Sequence, residues 1–232
     1  MQVVILAGGL GTRLWPLTKQ VPKPMVPVAG IPYLEHQLRI LAKQGLKDIV
    51  ILTAYLGEQI EEYFGDGRRL GLSILYSREP EPLGTGGALR EAQHLLDDLF
   101  IVLYGDSYLP MDYSAVGQML AASDALGVLV VYHDVRGETG VRGNVALDEN
   151  GLVSRYDKTA VDDPALRYIE AGVLALRRAA VALAPSSGKA SLEQEVFPQL
   201  IERGSLLGLP TGQRFYDIGT TDRLKTIERL FA

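Results

Sequence analysis

The chain has 232 residues, of which 47% are hydrophobic and 22% are charged, a balance typical of a globular protein that can bury a full core. Its net charge of −5 includes no basic block, which argues against nucleic acid as a partner, because such binding depends on cationic contacts to phosphate. The absence of cysteine excludes disulfides, thiolate nucleophiles and cysteine-bound zinc.

The first residues lack the charged and long apolar regions of a signal peptide. No apolar run approaches the roughly 20 residues that a helix needs to span a bilayer. Together with the absence of cysteine, these features predict a cytoplasmic protein with no membrane partner.

Short apolar runs alternate with amphipathic stretches through the first half of the chain. In order, the pattern predicts strand 3–7, helix 32–44, strand 49–53, helix 58–64, strand 73–76, helix 86–95, strand 100–104, helix 113–122 and strand 126–133. Continuous apolar strands separated by helices indicate a parallel sheet that is covered on both faces. The sequence therefore predicts an α/β fold, Rossmann-like, with a mostly parallel sheet and helices on both faces.

The second half is less regular. It predicts strands 144–147, 152–156 and 170–176, a helix 191–202, strands 206–209 and 215–218, and a terminal helix 221–230. Ser191 is expected to be the N-cap of its helix, because serine favours that position. No repeat or long linker divides the chain, so we predict a single domain over 1–232.

Three polar or glycine-rich stretches, 8–13, 79–87 and 105–107, lie where predicted strands end. In open α/β sheets, ligands bind beyond the carboxyl ends of the strands. We therefore expect these three stretches to form one site.

The loop after the first strand has the composition of a phosphate-binding loop. Gly8, Gly9 and Gly11 allow backbone amides to approach phosphate oxygens, and Arg13 and Lys23 add positive charge nearby. The loop matches neither the Walker A pattern nor the full dinucleotide fingerprint. We predict that it binds a nucleoside triphosphate.

Two stretches together resemble the signature of sugar-1-phosphate nucleotidylyltransferases. They are Leu6-Ala7-Gly8-Gly9-Leu10-Gly11-Thr12-Arg13-Leu14 and Pro22-Lys23-Pro24-Met25. The similarity extends through Pro82-Leu83-Gly84-Thr85-Gly86-Gly87, Gly105-Asp106 and Asp217-Ile218-Gly219-Thr220. Within the family, 191–195 and 215–220 look most like enzymes that act on D-glycero-D-manno-heptose 1-phosphate or mannose 1-phosphate, the guanylyltransferases among them.

Enzymes of this family join a nucleoside triphosphate and a sugar 1-phosphate into a nucleotide sugar and release pyrophosphate. The resemblance implies a glycosyltransferase-A-like nucleotidyltransferase fold, with a nucleotide-binding half at about 1–125 and a sugar-phosphate-binding half at about 126–232. It implies that the nucleotide is bound by Leu6, Ala7, Gly8, Gly9, Gly11, Thr12, Glu79, Pro82, Gly84 and Thr85.

The resemblance also assigns the catalytic groups. Arg13 would stabilise the departing pyrophosphate, and Lys23 would hold the α-phosphate during attack. Asp106 and Asp217 would bind Mg²⁺, the cofactor that the family implies, with Asp106 also counted as catalytic. No side-chain nucleophile is needed, because the sugar phosphate oxygen attacks the α-phosphorus directly.

Base recognition is expected at Glu79. Relatives that transfer thymidylyl or uridylyl groups tend to carry glutamine there, whereas a carboxylate can accept both donors of the guanine edge. Glu81 is the competing candidate for this role. Gly84 and Gly87 are expected to let the backbone approach the base.

The sugar phosphate is expected to lie in the second half of the chain. The units Gly143-Asn144, Asp157-Lys158 and Glu170-Ala171-Gly172 match family positions, which makes sugar-phosphate ligands of Gly143, Asn144, Lys158, Glu170 and Gly172. Relatives often have asparagine in place of Glu170, and the proline that usually follows the acidic-lysine pair is missing here.

The expected function is guanylyl transfer from GTP to the heptose 1-phosphate. The alternatives are a mannose-1-phosphate guanylyltransferase, a uridylyltransferase acting on N-acetylmuramate 1-phosphate or a hexose 1-phosphate, and a non-catalytic nucleotide-sugar sensor. The stretch Gly105-Asp106-Ser107-Tyr108 also resembles an esterase block, with His133 as the base, although that block belongs near the N-terminus of those enzymes. Small-molecule substrates are the expected partners, and the oligomeric state is left open, a homodimer included.

Overall fold

A computed structural model describes residues 1–231, so Ala232, the last residue of the predicted domain, lies outside the described part of the chain. The strands are β1 (Gln2–Leu6), β2 (Pro27–Val28), β3 (Ile31–Pro32), β4 (Asp48–Thr53), β5 (Ser73–Arg78), β6 (Leu99–Tyr104), β7 (Ser107–Tyr108), β8 (Gly127–Tyr132), β9 (Val145–Leu147), β10 (Val153–Tyr156), β11 (Ile169–Arg177), β12 (Leu206–Thr211) and β13 (Tyr216–Asp217). The helices are α1 (Tyr33–Lys43), α2 (Gly57–Phe64), α3 (Gly84–Glu91), α4 (Ser114–Ala121), α5 (Arg178–Val181), α6 (Phe197–Glu202) and α7 (Thr221–Phe231), and a π-helical turn at Leu192–Val196 leads into α6.

A seven-stranded sheet with the strand order β12-β8-β11-β6-β1-β4-β5 forms the centre of the protein. Its neighbouring strands are parallel except at β11, which is antiparallel to both β6 and β8. Strand β1 lies between β4 and β6, with Val3 opposite both Ile49 and Ile101. The predicted α/β fold with a mostly parallel sheet is confirmed.

Two apolar cores lie on opposite faces of this sheet. Successive side chains of a strand point to opposite faces, so Ile5 of β1 joins one core while Val4 joins the other. Helices α1 and α4 cover the first core, with Leu38 and Leu120 buried in it. Helices α3 and α6 supply Leu89 and Leu200 to the second core, which confirms helices on both faces.

The differences from the predicted elements are local. The helix expected at 86–95 divides into α3 and a 3-10 turn at Ala92–Leu95, and the helix expected at 191–202 begins as the π-helical turn. Ser191 is confirmed as the N-cap, because its Oγ accepts the backbone N–H groups of Glu193 at 3.2 Å and Gln194 at 3.3 Å. The two-residue strands β2, β3 and β7 were not predicted, since they are too short to show a period in the sequence.

The three polar stretches do meet at one edge of the sheet. The N–H of Gly105, after β6, donates to the carbonyl of Leu6 at 2.9 Å. The N–H of Glu79, after β5, donates to Thr53 O at 2.9 Å at the end of β4. Residues of all three stretches line one cleft at this edge, which confirms their predicted juxtaposition. No helix among residues 1–231 is long and apolar enough to cross a membrane.

A buried acidic group, Glu35, ties α1 to the segment after α2. Its side chain is 1% exposed and accepts hydrogen bonds from Arg39 at 2.6 Å, Arg69 at 2.9 Å and the Tyr63 hydroxyl at 3.0 Å. Burial raises the pKa of this carboxyl, but the hydrogen bonds from Arg69, Arg39 and Tyr63 outweigh it and hold the pKa at about 2, below the ordinary value of 4.5.

This depressed pKa predicts an acid-sensitive contribution to stability. Above pH 4.5 the ionised carboxylate stabilises the folded state, and the contribution is lost as the pH falls toward 2. We expect Glu35→Gln to lower the free energy of unfolding by about 2 kcal/mol at neutral pH, a value reduced from the full pKa shift because the two arginine partners are half-exposed. Urea unfolding of the wild-type protein and the variant between pH 7 and pH 2 measures this loss. A difference in stability between the two proteins that stays constant on acidification would contradict the assignment. Glu62→Gln, on the exposed face of α2, is the matched control.

Candidate active site

The loop after β1 is held in shape by close packing against the segment that carries Lys23. Gly11 has a positive φ of +62°, a conformation that favours glycine, and its carbonyl accepts the Thr18 hydroxyl at 2.8 Å. A Cβ on Gly11 would lie 3.0 Å from the Cβ of Lys23. The glycine therefore lets the loop lie directly against Lys23.

A first cleft of about 490 Å³ opens along the ends of β1, β5 and β6. It is lined by all of the residues that the sequence assigned to the nucleotide: Leu6, Ala7, Gly8, Gly9, Gly11, Thr12, Glu79, Pro82, Gly84 and Thr85. Arg13, Lys23 and Asp106 line it as well. The cleft thus combines a glycine-rich backbone with two cations, Arg13 and Lys23, and two carboxylates, Glu79 and Asp106.

Lys23 and Asp106 form an ion pair at the floor of the first cleft. The Lys23 Nζ lies 2.5 Å from Asp106 Oδ2, and Lys23 is 8% exposed, so its ammonium depends on this partner. Gln37 of α1 holds the backbone turn around Asp106, since its Nε2 donates to the carbonyl of Tyr104 at 2.9 Å and to that of Ser107. The Asp106 carboxylate is therefore positioned both by Lys23 and by the backbone turn that Gln37 holds.

Asp217 is brought beside Asp106 by a short antiparallel ladder. Strand β13 pairs with β7 so that Asp217 lies opposite Ser107, and the N–H of Ile218 donates to the carbonyl of Asp106 at 3.1 Å. The Asp217 carboxylate accepts the N–H of Gly219 at 2.7 Å and pairs with Arg223 Nη1 at 2.8 Å. The backbones of Asp106 and Asp217 are thus adjacent, and both residues line one cleft, although they are far apart in sequence.

The donor set suits a metal that also uses phosphate ligands. Among residues 1–231 no group of three or more His, Cys, Asp or Glu side chains has metal-binding geometry. Mg²⁺ is commonly held by one or two carboxylates together with substrate phosphates and water, rather than by a protein cage. Two carboxylates, those of Asp106 and Asp217, would fit that pattern.

Arg13 lines the first cleft and also a second, smaller cleft that lies beside it. It is exposed, and the absence of a side chain at Gly219 leaves room for it, because a Cβ there would lie 3.6 Å from Arg13 Nη2 and 2.7 Å from Asp217 Oδ1. Arg13 Nη2 and Asp217 Oδ1 therefore both lie within 4 Å of the space left by the missing Gly219 side chain, and Arg13 lines both clefts.

Glu79 is buried at the far end of the first cleft. One carboxylate oxygen, Oε2, accepts the N–H of Leu83 at 2.6 Å, and a Cβ on Gly8 would lie 3.2 Å from the other, Oε1. Burial raises the pKa of Glu79, against the Leu83 hydrogen bond. Glu81, the competing candidate, is exposed and lines a neighbouring pocket of about 390 Å³ instead.

The glycines that open α3 pack closely against another part of the chain. Gly84 lines the cleft, but a Cβ on it would lie 2.5 Å from the carbonyl of Ala190. Gly87 does not line the cleft, and a Cβ there would lie 2.8 Å from Leu83 Cβ. The carbonyl of Ala190 accepts the N–H groups of Gly86 at 2.9 Å and Gly87 at 3.0 Å, so these glycines admit the protein's own backbone.

A second cleft of about 200 Å³ adjoins the first and shares Arg13, Tyr104 and Asp106 with it. It is lined by four residues that the sequence assigned to the sugar phosphate, namely Asn144, Lys158, Glu170 and Gly172. The fifth, Gly143, is not among its lining residues, and a Cβ there would lie 1.8 Å from the carbonyl of Leu166. Close backbone packing therefore accounts for Gly143.

Lys158 is held between two carboxylates at the edge of the second cleft. Its Nζ lies 2.9 Å from Glu170 and 3.1 Å from Glu193. Burial lowers the pKa of Lys158, but the two carboxylates outweigh burial and raise it above its ordinary value. Glu170 Oε2 also accepts the Tyr156 hydroxyl at 2.5 Å, whereas its Oε1 is buried and has no partner within the described residues.

The esterase alternative finds no support in the geometry. Ser107 Oγ donates to Asp106 Oδ1 at 3.3 Å, and the described residues offer it no histidine partner. His133 packs instead against the ring of Tyr168, with centroids 5.1 Å apart. A serine–histidine pair of the kind needed for nucleophilic catalysis is therefore not formed by these two residues.

Four polar residues of the site were missed by sequence reasoning. They are Gln37, Tyr104, Glu193 and Arg223. Tyr104 directly precedes Gly105-Asp106, and Glu193 lies within the 191–195 stretch, so proximity to these motifs was an available signal. Gln37 and Arg223 lie on helices with no such signal.

The chain matches the family described as Nucleotidyl transferase over residues 2–231. The mannose-1-phosphate guanylyltransferase of Mycobacterium tuberculosis is 36% identical over 227 residues, which cover 96% of this chain and 62% of that protein. The D-glycero-alpha-D-manno-heptose 1-phosphate guanylyltransferase of Aneurinibacillus thermoaerophilus is 30% identical over 230 residues, covering 99% of this chain and 97% of that protein. This chain thus spans less than two thirds of the mycobacterial protein.

The crystal structure of HddC from Yersinia pseudotuberculosis complexed with GMP-PN is similar throughout. Its TM-score is 0.82 at 28% sequence identity, and the alignment covers 100% of this chain and 99% of that chain.

The packing of α3 on Ala190 predicts that Gly84→Ala destabilises the protein. The φ of Gly84 is +77° and its Cβ would meet a backbone carbonyl, so both the conformation and the contact oppose the substitution. We expect a loss of about 2–4 kcal/mol in the free energy of unfolding, measured by urea denaturation. Gly137→Ala is the matched control, because Gly137 also has a positive φ, +65°, with nothing within 4 Å of the added Cβ. Equal losses in the two variants would contradict a role for the Ala190 contact.

Proposed function

This chain belongs to the nucleotidyl transferase family, and we propose that it transfers a guanylyl group from GTP to a sugar 1-phosphate, with release of pyrophosphate. The proposed acceptor is D-glycero-α-D-manno-heptose 1-phosphate. The observation that carries the proposal is the junction of the two clefts at Arg13, Tyr104 and Asp106. A triphosphate in the first cleft and a sugar phosphate in the second would meet at this junction.

The reaction needs positioning and charge neutralisation rather than a protein nucleophile. An oxygen of the sugar phosphate attacks the α-phosphorus of GTP, a new P–O bond forms, and the bond to the β-phosphate oxygen breaks. Lys23, fixed in the first cleft, would hold the α-phosphate, and Arg13 would stabilise the negative charge of the pyrophosphate as it leaves. Asp106 and Asp217 would hold Mg²⁺, which when bound neutralises phosphate charge.

Recognition of guanine is supported by Glu79. Guanine offers adjacent N1–H and N2–H₂ donors, and a buried carboxylate that faces the cleft can accept both. The named activities of the mycobacterial and Aneurinibacillus relatives are guanylyl transfers, which supports the same base.

Sugar recognition is supported by Lys158 and Glu170. The Lys158 ammonium has three N–H donors, and its two carboxylate partners leave one for the sugar phosphate. The buried and unpartnered Oε1 of Glu170 would accept a hydroxyl of the sugar ring. The proposed reaction takes place in the cytoplasm, where nucleoside triphosphates are made.

A pyrophosphate-release assay over a matrix of triphosphates and sugar 1-phosphates, with Mg²⁺, tests the proposal. We expect the highest turnover with GTP and a manno-configured heptose 1-phosphate. A preference for mannose 1-phosphate would favour a mannose-1-phosphate guanylyltransferase instead. A preference for UTP would favour a uridylyltransferase. No release with any pair would overturn the enzymatic proposal and favour a nucleotide-sugar sensor.

Removal of the Lys23 ammonium is expected to stop turnover. Lys23→Ala should lower kcat by about 100-fold or more, the size typical for loss of one charge-stabilising group in a transition state. Lys19→Ala is the matched control, because Lys19 belongs to the same segment but is exposed and lies over the ring of Trp15. Circular dichroism checks the fold, and near-normal kcat in a folded Lys23→Ala protein would refute the role.

Glu79→Gln is expected to erode the preference for GTP. A glutamine replaces one acceptor oxygen by a donor, which suits a pyrimidine edge and repels the N1–H of guanine. The ratio of kcat/KM for GTP over UTP should fall about tenfold, corresponding to about 1.4 kcal/mol. Glu81→Gln should leave the ratio unchanged, and an unchanged ratio in Glu79→Gln would remove Glu79 from base recognition.

A further inference from the structure

The carboxylate of Glu193 lies between the two clefts and lines neither of them. We propose that Glu193 is a positioning residue that anchors Lys158 and couples it to the nucleotide side of the site, so that occupancy of one cleft affects binding in the other. This rests on the proposed function and adds to it a physical link between the two substrates.

Both oxygens of Glu193 are used, and their partners come from different parts of the chain. Oε1 accepts the Tyr104 hydroxyl at 2.9 Å and pairs with Lys158 Nζ at 3.1 Å. Oε2 accepts the hydroxyls of Ser191 at 2.7 Å and Thr85 at 3.0 Å. Thr85 lines the first cleft, Lys158 the second, and Tyr104 both, so one carboxylate contacts residues of the two clefts.

Three hydroxyl donors keep Glu193 in place independently of Lys158. Its side chain is 15% exposed. Burial raises the pKa of Glu193, but Lys158, the Ser191 hydroxyl, the backbone amide and the Tyr104 hydroxyl outweigh burial and hold it at about 2. Glu193 therefore stays ionised at neutral pH, and its hydroxyl partners keep it in place.

Glu170 is the less constrained of the two carboxylate partners of Lys158. It has one hydroxyl donor, Tyr156, and an unpartnered Oε1, in contrast to the three hydroxyls at Glu193. When a sugar phosphate accepts the third N–H of Lys158, the ammonium can turn toward it and lengthen its contact with Glu170 while it keeps the contact with Glu193. Glu193 thus acts as the pivot, and Glu170 is released toward the sugar hydroxyls.

The link to the first cleft is short and rigid. Besides donating to Glu193, the Thr85 hydroxyl accepts the backbone N–H of Leu192 at 2.7 Å, so the first turn of α3 is joined to the turn that carries Glu193. The N–H groups of Gly86 and Gly87 on the carbonyl of Ala190 reinforce this joint. Because the link is rigid, a nucleotide that displaces Thr85 would displace Glu193 and Lys158 as well, which gives a reciprocal coupling between the sites.

Glu193→Gln tests the anchor with nearly the same shape. With the best substrate pair from the matrix assay, each KM is measured with the other substrate well below its own KM, so that coupling between the sites does not contribute. We then expect the KM for the sugar 1-phosphate to rise about tenfold while the KM for the triphosphate changes less than twofold. Glu228→Gln, an exposed charge-matched change on α7, should alter neither constant. Equal effects of Glu193→Gln on both substrates, or none, would overturn the proposal.

Thr85→Val tests the link itself, because a merely structural role would not carry an effect across the site. Although Thr85 lines the first cleft, we expect its substitution to raise the KM for the sugar 1-phosphate. The double variant with Glu193→Gln should show a smaller rise than the product of the single rises, since both act through one contact. A rise in the double variant that equals the product of the two single rises would contradict the coupling.

A substrate-free measurement separates this inference from the proposed function. The pKa of Lys158 can be followed by NMR of ¹³C-methylated lysines, with its resonance assigned by Lys158→Arg. The ionisable groups that face Lys158 are Glu193, Glu170 on β11, and the phenols of Tyr104 on β6 and Tyr156 on β10. Loss of the Glu193 charge should lower the Lys158 pKa, and Glu228→Gln should not. If the wild-type protein releases no pyrophosphate, the proposed function fails, but this titration still tests whether Glu193 anchors Lys158. A Lys158 pKa that is unchanged in Glu193→Gln would overturn the anchoring role.

Discussion

The ion pair between Lys23 and Asp106 is the contact on which the site depends. An ammonium that is almost fully buried needs an anion, and the anion here belongs to the loop after a different strand. The pair therefore ties the segment that carries Lys23 to the turn after β6. The same turn is held against β1 by the Gly105 to Leu6 hydrogen bond and against α1 by the Gln37 amide.

The first half of the chain was well predicted because its signals are local. Continuous apolar strands with glycine-rich ends indicate both a parallel sheet and the edge at which ligands bind. The Gly8–Arg13 loop, Glu79 and the Asp106 turn do lie together, as those signals require. The antiparallel orientation of β11 could not be predicted, since it follows from a long excursion through β9 and β10 rather than from the strand's own composition.

The second cleft was less predictable because its side chains act in pairs from distant segments. Lys158 and Glu170 carried a family resemblance, but their third partner, Glu193, is reached only once α6 packs against β10. Similarly, the sequence assigned Gly143 and Gly87 to ligands, and the structure adds that their missing side chains also make room for neighbouring parts of the chain. A glycine in a motif indicates that another group comes close to the backbone there, but the sequence does not show whether that group is a ligand or another part of the chain.

The ladder of β13 with β7 has a consequence for synthesis of the protein. The residues that line the first cleft come almost entirely from the first 106 residues, whereas Asp217 and Arg223 are translated much later. A growing polypeptide on the ribosome therefore carries nearly all segments of the first cleft long before it carries β13. A nascent or prematurely terminated chain without β13 would lack the second carboxylate of the proposed metal site, so that site is completed only late in synthesis.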